Sequence, residues 1–399
     1  MIEQIYIKDE QPSNIFADFL FYLSYFLIIF SYMAREVHFI GDFNGLMNLA
    51  GAGLLGVRLV FLRLTLKRFL ACSVLLLFGA FTIFNSGENL FATLILIVIN
   101  CADMNPKDIA RFNFKVVAVV LFFVLFMHSL GLTNEVVVRR GDGNRYAMGF
   151  AHPNTLGQLG LSLLLVRIYC KGAKMPFLEF IGFIVAIALV DMMADSRMAL
   201  LLAVFTMGFF WLNNLLKSKL LDSAAFSVVS VILLPICFTM NLLLAIYGIQ
   251  LENFIAVNDL LSGRLVNSHW IYLNNPVTLL GNPVDVTNTI PRSIREQTPY
   301  NHGLTLVFDN SYLFLLLAFG IVGTLFVLIG IPQMILRANK KGDRVLSFIS
   351  CVYIILGLLS ADLLRSVFNF TVMFMFSSFA YVKTKGAEPN ANSISSTDK

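Results

Sequence analysis

Apolar runs of membrane-spanning length recur along almost the whole chain, and they decide its fold class. About twenty apolar residues suffice to cross a bilayer as a helix, and in lipid such a helix satisfies its own backbone polar groups. Some twelve runs can be read, at roughly 14–34, 44–62, 69–85, 88–102, 114–133, 154–170, 177–194, 197–215, 224–248, 309–335, 345–360 and 362–382. The chain of 399 residues is 58% hydrophobic and 13% charged, a balance foreign to soluble domains of that length. The expected fold is all-α: a polytopic integral membrane protein of about twelve transmembrane helices with one long extracytoplasmic loop, about 249–308. The membrane domain spans 1–385, and the Ser/Asn-rich tail 386–399 reads as a disordered cytoplasmic extension. The first run follows a polar start without a small-residue cleavage site, so no signal peptide is expected. In the second run, Ala52 and Gly56 stand at small-xxx-small spacing beside Gly53, which predicts close helix packing there.

Charge placement gives the orientation. Basic clusters follow every even-numbered run: Arg58, Arg63, Lys67 and Arg68 after the second, Lys107, Arg111 and Lys115 after the fourth, Arg167, Lys171 and Lys174 after the sixth. Lys217 and Lys219, then Arg337, Lys340, Lys341 and Arg344, and finally Lys383 and Lys385 continue the pattern. Those loops are expected in the cytoplasm, with both termini inside. On this topology all 13 lysines fall inside, whereas nine of the 16 arginines fall outside. A topology signal uses either cation, but planar bidentate capture of phosphate favours arginine. The outer face therefore reads as a site for an anionic, phosphate-bearing ligand.

Three outer segments carry the candidates. The first, "NEVVVRRGDGNRYAMGFAHPN", holds Arg139, Arg140 and Arg145. Arg139 and Arg140 suit solvated loop charges or lipid headgroup contacts as well as they suit ligand binding. Arg145 stands seven residues before His152, where His152-Pro153-Asn154 would open a helix whose amide donors favour anions. His152 and Asn154 are also natural caps. The second segment, "ADSR", places Asp195 and Arg197 at a tight turn, with Asp191 one helical turn earlier; internal pairing competes with ligand contact. The third is the long loop. Leu260, Leu261, Leu265 and Trp270 suggest a short amphipathic interfacial helix bearing Arg264. His302 and Asp309 are candidate general bases, and Asp309-Asn310 is equally a helix cap. Asp362 and Arg365, three residues apart, suit a simple ion pair.

Other chemistries find no support. No nucleotide-binding glycine loop, zinc spacing or dense acidic run stands out, and no Gly-x-Ser-x-Gly turn presents a nucleophile. The five cysteines lie in or beside apolar runs, which disfavours disulfides and thiolate metal sites. Neither a cofactor nor a metal nor nucleic acid is expected, so the driving energy must come with the substrate or from a gradient.

"RYAMGFAHPNTLGQLG" closely resembles a segment of Wzy-type oligosaccharide repeat-unit polymerases, especially those of Gram-positive capsule and exopolysaccharide clusters. "DSRMALLLAVF" resembles their next arginine-bearing turn. "LLSGRLVNSHWIYLNNPVTLLG" and "DNSYLFLLLAFGIVG" resemble the end-of-loop pattern of the O-antigen polymerase and ligase superfamily. The resemblance runs from about Arg145 to Gly323; earlier spans match in hydropathy alone. It implies a metal-independent, inverting glycosyltransferase of the bacterial plasma membrane acting on undecaprenyl-pyrophosphate-linked oligosaccharides. A flippase and a chain-length regulator of the same pathway would be its partners, besides membrane lipids. Arg145, His152, Asn154, Arg197 and Arg264 would hold pyrophosphate, and Asp195, Asn310 and Tyr312 would bind or orient sugar. The base is Asp309 or His302; related ligases carry a histidine where this chain has Asp309. A ligase with another acceptor and a lipid-linked oligosaccharide flippase are the alternatives, although no pair of matching halves supports a transporter.

Overall fold

The computed structural model describes residues 15–62, 64–102, 104–140, 143–172, 175–215, 220–251, 254–261, 263–284 and 310–377. The described chain is mostly helical: α1 (Ile15–Met33), α2 (Asn44–Leu59), α3 (Leu66–Ser86), α4 (Leu90–Cys101), α5 (Pro106–Ser129), α6 (Pro153–Lys171), α7 (Phe177–Ala194), α8 (Arg197–Leu215), α9 (Ala224–Tyr247), α10 (Phe254–Leu260), α11 (Arg264–Asn274), α12 (Ser311–Lys340) and α13 (Arg344–Leu356). Among the described residues six helices, α1, α3, α5, α7, α9 and α12, are long and apolar enough to cross a membrane. Helices α4, α8 and α13 are shorter apolar ones. Starts are set locally: Thr65, Asn105, Ser223 and Asp343 each accept a first-turn N–H, and Pro106 and Pro153 occupy first positions that need no donor.

In a membrane chain the lipid face is as apolar as the core, so hydrophobicity alone does not say which face is inside. Small and polar residues do. Helix α6 is surrounded, burying Leu159, Leu161, Leu164 and Leu165 on different sides. Its Gly157 lies so close to Ser196 that a Cβ there would come within 2.6 Å of the Ser196 Cβ. Gln158 Nε2 donates to Ser360 Oγ (2.9 Å), and Ser162 Oγ to the Val367 carbonyl (3.3 Å). Helices α3 and α7, by contrast, keep most of their surface outside the protein core.

The structure corrects several sequence expectations. Helices α1 and α2 do pack closely, but through Gly51 rather than Ala52 and Gly56. A Cβ on Gly51 would meet Ile28 at 2.7 Å, while Gly53 and Gly56 face open space. Arg58 is no loop cation: it is buried, donating to the Ala17 carbonyl (2.9 Å) and to the Asn100 carbonyl (2.6 Å) and side chain (3.0 Å). The segment "VVRRGDGNRY" is not plain loop. Strands β1 (Val137–Arg140) and β2 (Gly143–Tyr146) pair antiparallel, with Val138 opposite Arg145. The β-branched run Val136–Val138 followed by the Gly-Asp-Gly sequence was the available signal.

The twelfth run is not a span over its described part. From 357 to 377 the chain makes turns and one 3-10 stretch, Phe370–Phe374, with Phe368, Phe370, Val372 and Phe374 buried. Irregular backbone survives at such depth only when protein surrounds it and side chains satisfy it. Asn369 does this: its Nδ2 donates to the Leu363 carbonyl (2.8 Å) and its Oδ1 accepts from the Thr371 N–H (3.2 Å). Helix α12 is broken at Gly320 (φ 69°, ψ −171°). The freed donors of Ile321 and Val322 reach the carbonyls of Thr278 and Leu279 at 3.0 and 3.1 Å, and the Leu317 carbonyl accepts from the Asn282 N–H at 3.1 Å. The chain after α11 is thus clipped into the break, with Gly281 and Gly320 back to back.

Candidate functional site

Arg145 organises one end of the bundle. It sits on β2, opposite Val138, and its side chain is buried. Nε donates to the Ala194 carbonyl (2.9 Å), and Nη2 donates to the Asp195 carbonyl (3.1 Å) and to Asn154 Oδ1. One guanidinium therefore joins the hairpin, the start of α6 and the end of α7. A helix end leaves carbonyls without intrahelical partners and concentrates partial negative charge, so a cation with a rigid fork fits there. The chain reaches this geometry through Met148 (φ 53°) and Gly149 (φ 82°), and Glu135 steadies the return by accepting from the Ala147 N–H at 3.0 Å.

Asp195 ends α7 in the left-handed region (φ 46°). Its carboxylate accepts from Arg197 Nε at 2.6 Å and lies 4.0 Å from Arg145 Nε. The side chain of Arg197 is 73% exposed. The two arginines of this cluster therefore differ: Arg145 is spent largely on protein carbonyls, and Arg197 is presented outward. His152 caps α6, its Nδ1 accepting the Asn154 N–H (3.1 Å).

Arg264 opens α11, with Nη1 donating to the Leu261 carbonyl (3.2 Å). The amphipathic helix expected at the interface packs instead on α9, burying Leu265, Val266 and His269; the His269 ring Nδ1 lies 2.7 Å from the Ala245 carbonyl. Arg264, Asn310, Asn241, Ser268 and Met198 line a cavity of about 160 Å³. Met198 follows Arg197, so the "ADSR" turn and the long loop border the same space. Asn310 is used at both ends of its amide: Oδ1 accepts from the Tyr312 and Leu313 N–H groups (3.1 Å each), and Nδ2 donates to Asn241 (2.7 Å) and Ser268 (3.2 Å). Tyr312 does not line this cavity. It is 1% exposed and its hydroxyl donates to the Ile354 carbonyl (2.6 Å), so the sugar-orienting role expected of it is corrected to a core anchor.

The structure thus brings together Arg145, His152, Asn154, Asp195 and Arg197 in one cluster, and Arg264 with Asn310 in an adjoining wall. His302 and Asp309 lie outside the described residues; Asp309 immediately precedes Asn310. Sequence reasoning missed Asn241, Ser268 and Gln158. Asn241 and Gln158 carried the usable signal of a polar residue inside an apolar run. Among the described residues no group of three or more His, Cys, Asp or Glu side chains is placed to hold a metal ion. The arrangement offers the Arg264 guanidinium in a cavity wall and the exposed Arg197 one residue from Met198 of the same wall, groups able to neutralise an oxyanion by charge-assisted hydrogen bonds. Comparison of the chain with family models, with curated proteins and with solved structures finds no match.

Proposed function

We propose that the protein is a polysaccharide polymerase that joins undecaprenyl-pyrophosphate-linked oligosaccharide repeat units at the outer face of the bacterial plasma membrane. The observation that carries this reading is the division of labour at one end of the bundle. Arg145 locks the turn that presents Arg197, and the same turn borders the Arg264–Asn310 cavity. Such a site suits a diphosphate held at a membrane surface, and the resemblance of its segments to Wzy-type polymerases supplies the reaction.

In that reaction a hydroxyl oxygen of the acceptor sugar attacks the donor's anomeric carbon. The bond from that carbon to the pyrophosphate oxygen breaks, the lipid pyrophosphate leaves, and the hydroxyl proton passes to a base, Asp309 in the first instance and His302 otherwise. One in-line displacement inverts the anomeric centre. Arg197 and Arg264 neutralise the leaving diphosphate, whose developing charge is the largest electrostatic demand of the step. Arg145 acts as a positioning residue by holding Asp195 and Asn154.

Purified protein in vesicles with lipid-linked repeat units tests the reading. A ladder of products is expected. Transfer only to a foreign acceptor would reassign the protein as a ligase, and translocation without new glycosidic bonds would make it a flippase.

A further inference from the structure

A larger and more polar cavity, of about 410 Å³, shares no lining residue with the Arg145 cluster and lies between α1, α2, the α3–α4 turn and the segment 364–367. It opens at the same end of the bundle. Residues just after α1 are stitched to the approach of the β-hairpin: Val37 bridges Thr133, the His38 N–H donates to the Leu132 carbonyl (3.1 Å), and the Asn134 N–H to the Glu36 carbonyl (2.9 Å). The segment that walls the cavity also touches α6, since Ser360 accepts from Gln158 five residues before Arg365.

The lining chemistry selects the ligand class. Two guanidinium groups converge on the Tyr32 ring, Arg365 at 4.8 Å and Arg35 at 5.7 Å. Each already has a carboxylate beside it: Arg365 Nε lies 3.1 Å from Asp362, and Arg35 Nε 3.4 Å from Glu36. Glu88 is the one carboxylate in the wall itself. With Asp362 and Glu36 paired to the two arginines, the neighbourhood carries no surplus positive charge for a phosphate. The buried Oδ1 of Asn48 lines the cavity without a hydrogen-bond partner. Asn48 Oδ1 is an acceptor, and the buried Nε of Arg365 is likewise without a hydrogen-bond partner, so a fitting ligand must both donate and accept; a fully ionised phosphate has no proton to give. An unpaired buried amide oxygen costs free energy that a donating ligand would recover. A sugar ring supplies what is missing: hydroxyls that donate to Asn48 and Glu88 and accept from Arg35 and Arg365.

We propose that this cavity is a saccharide subsite, which holds a neutral, polyhydroxylated stretch of glycan at the same membrane face as the arginine cluster. It deepens the polymerase reading by giving the glycan a seat separate from the pyrophosphate, and it rests on that reading only for the identity of the glycan as substrate.

The test is a glycan array probed with labelled full-length protein in lipid nanodiscs, which avoid sugar-headed detergents. The wild type is expected to retain a set of neutral bacterial oligosaccharides. Asn48→Leu and Glu88→Gln should each lower that retention at least tenfold, while Arg111→Gln, an exposed arginine near the start of α5, leaves it unchanged. Asn48→Leu removes an unpartnered amide and is expected to fold; its melting temperature is read alongside. No retention by wild type, or equal retention by both variants, would overturn the proposal. So would a signal confined to phosphorylated glycans and abolished by Arg35→Gln. If retention fails while ladder synthesis proceeds, the subsite falls and the polymerase stands; retention without any ladder would leave the subsite and remove the polymerase.

Discussion

Replacing Arg145 by lysine asks whether this guanidinium organises the site or contacts the ligand. Arg145 makes three described hydrogen bonds, to the Ala194 and Asp195 carbonyls and to Asn154. Their acceptors are arranged around a planar fork, and a single ammonium on a flexible stem cannot meet all three. Hydrogen bonds to a charged group contribute about 1.5–3 kcal/mol each. Losing one or two of them locally costs about 3 kcal/mol, which is on the order of a hundredfold in an opening equilibrium at about 1.4 kcal/mol per decade. Positive charge is retained, so the global field of the site is little changed. Hydrogen exchange in nanodiscs reads the effect directly. Amides of strands β1 and β2 and of the turn at Ala194–Arg197 should exchange about a hundredfold faster in Arg145→Lys, and α3, which packs on α4 and α12, should be unaffected. Product ladders should fall in parallel. If exchange in the hairpin and the turn is unchanged while activity disappears, Arg145 is a ligand contact and the positioning argument is wrong. Wild-type behaviour in both measurements would remove Arg145 from the site altogether.

Further outcomes are expected. Asp309→Asn should slow polymerisation roughly 10²–10⁴-fold, the usual contribution of a positioned base, with protein level unchanged; normal ladders in that variant and none in His302→Ala would move the base to His302. Gly320→Ala should lower thermal stability by at least about 1–2 kcal/mol, because a side chain at φ 69° is strained and its Cβ would sit 2.3 Å from the Gly281 nitrogen. Gly53→Ala, facing open space in α2, should instead be neutral or gain up to about 1 kcal/mol, and equal melting temperatures for the two variants would refute the clip. Arg197→Lys should weaken turnover without loosening the fold, since its side chain is 73% exposed; an unchanged rate would count against bidentate phosphate capture. Polymerisation should persist in EDTA, and its loss with recovery on Mg²⁺ would point to a metal in place of arginine.

What the sequence determined by itself was local or additive. Runs of apolar residues sum to spans regardless of partners, so helices such as α1, α7 and α9 were legible almost to their ends. The pattern His152-Pro153-Asn154 marked a helix start because a cap and a first-position proline act within one turn. Asp195 and Arg197 were close enough in sequence to be read as a pair. The rest depended on which surfaces meet. Hydropathy cannot separate a buried coil from a span, since both exclude water, and so 362–382 read as a helix although its described part, 362–377, is not one. It cannot choose the packed face of α2 either, because lipid accepts Gly53 and Gly56 as readily as protein accepts Gly51. Arg58 looked like a topology charge until α1 and α4 supplied the carbonyls that bury it. The break at Gly320 needs a segment some forty residues earlier to take its donors. The cavity at Arg35 and Arg365 joins residues from opposite ends of the chain, a coincidence that only tertiary packing creates and no local spacing records.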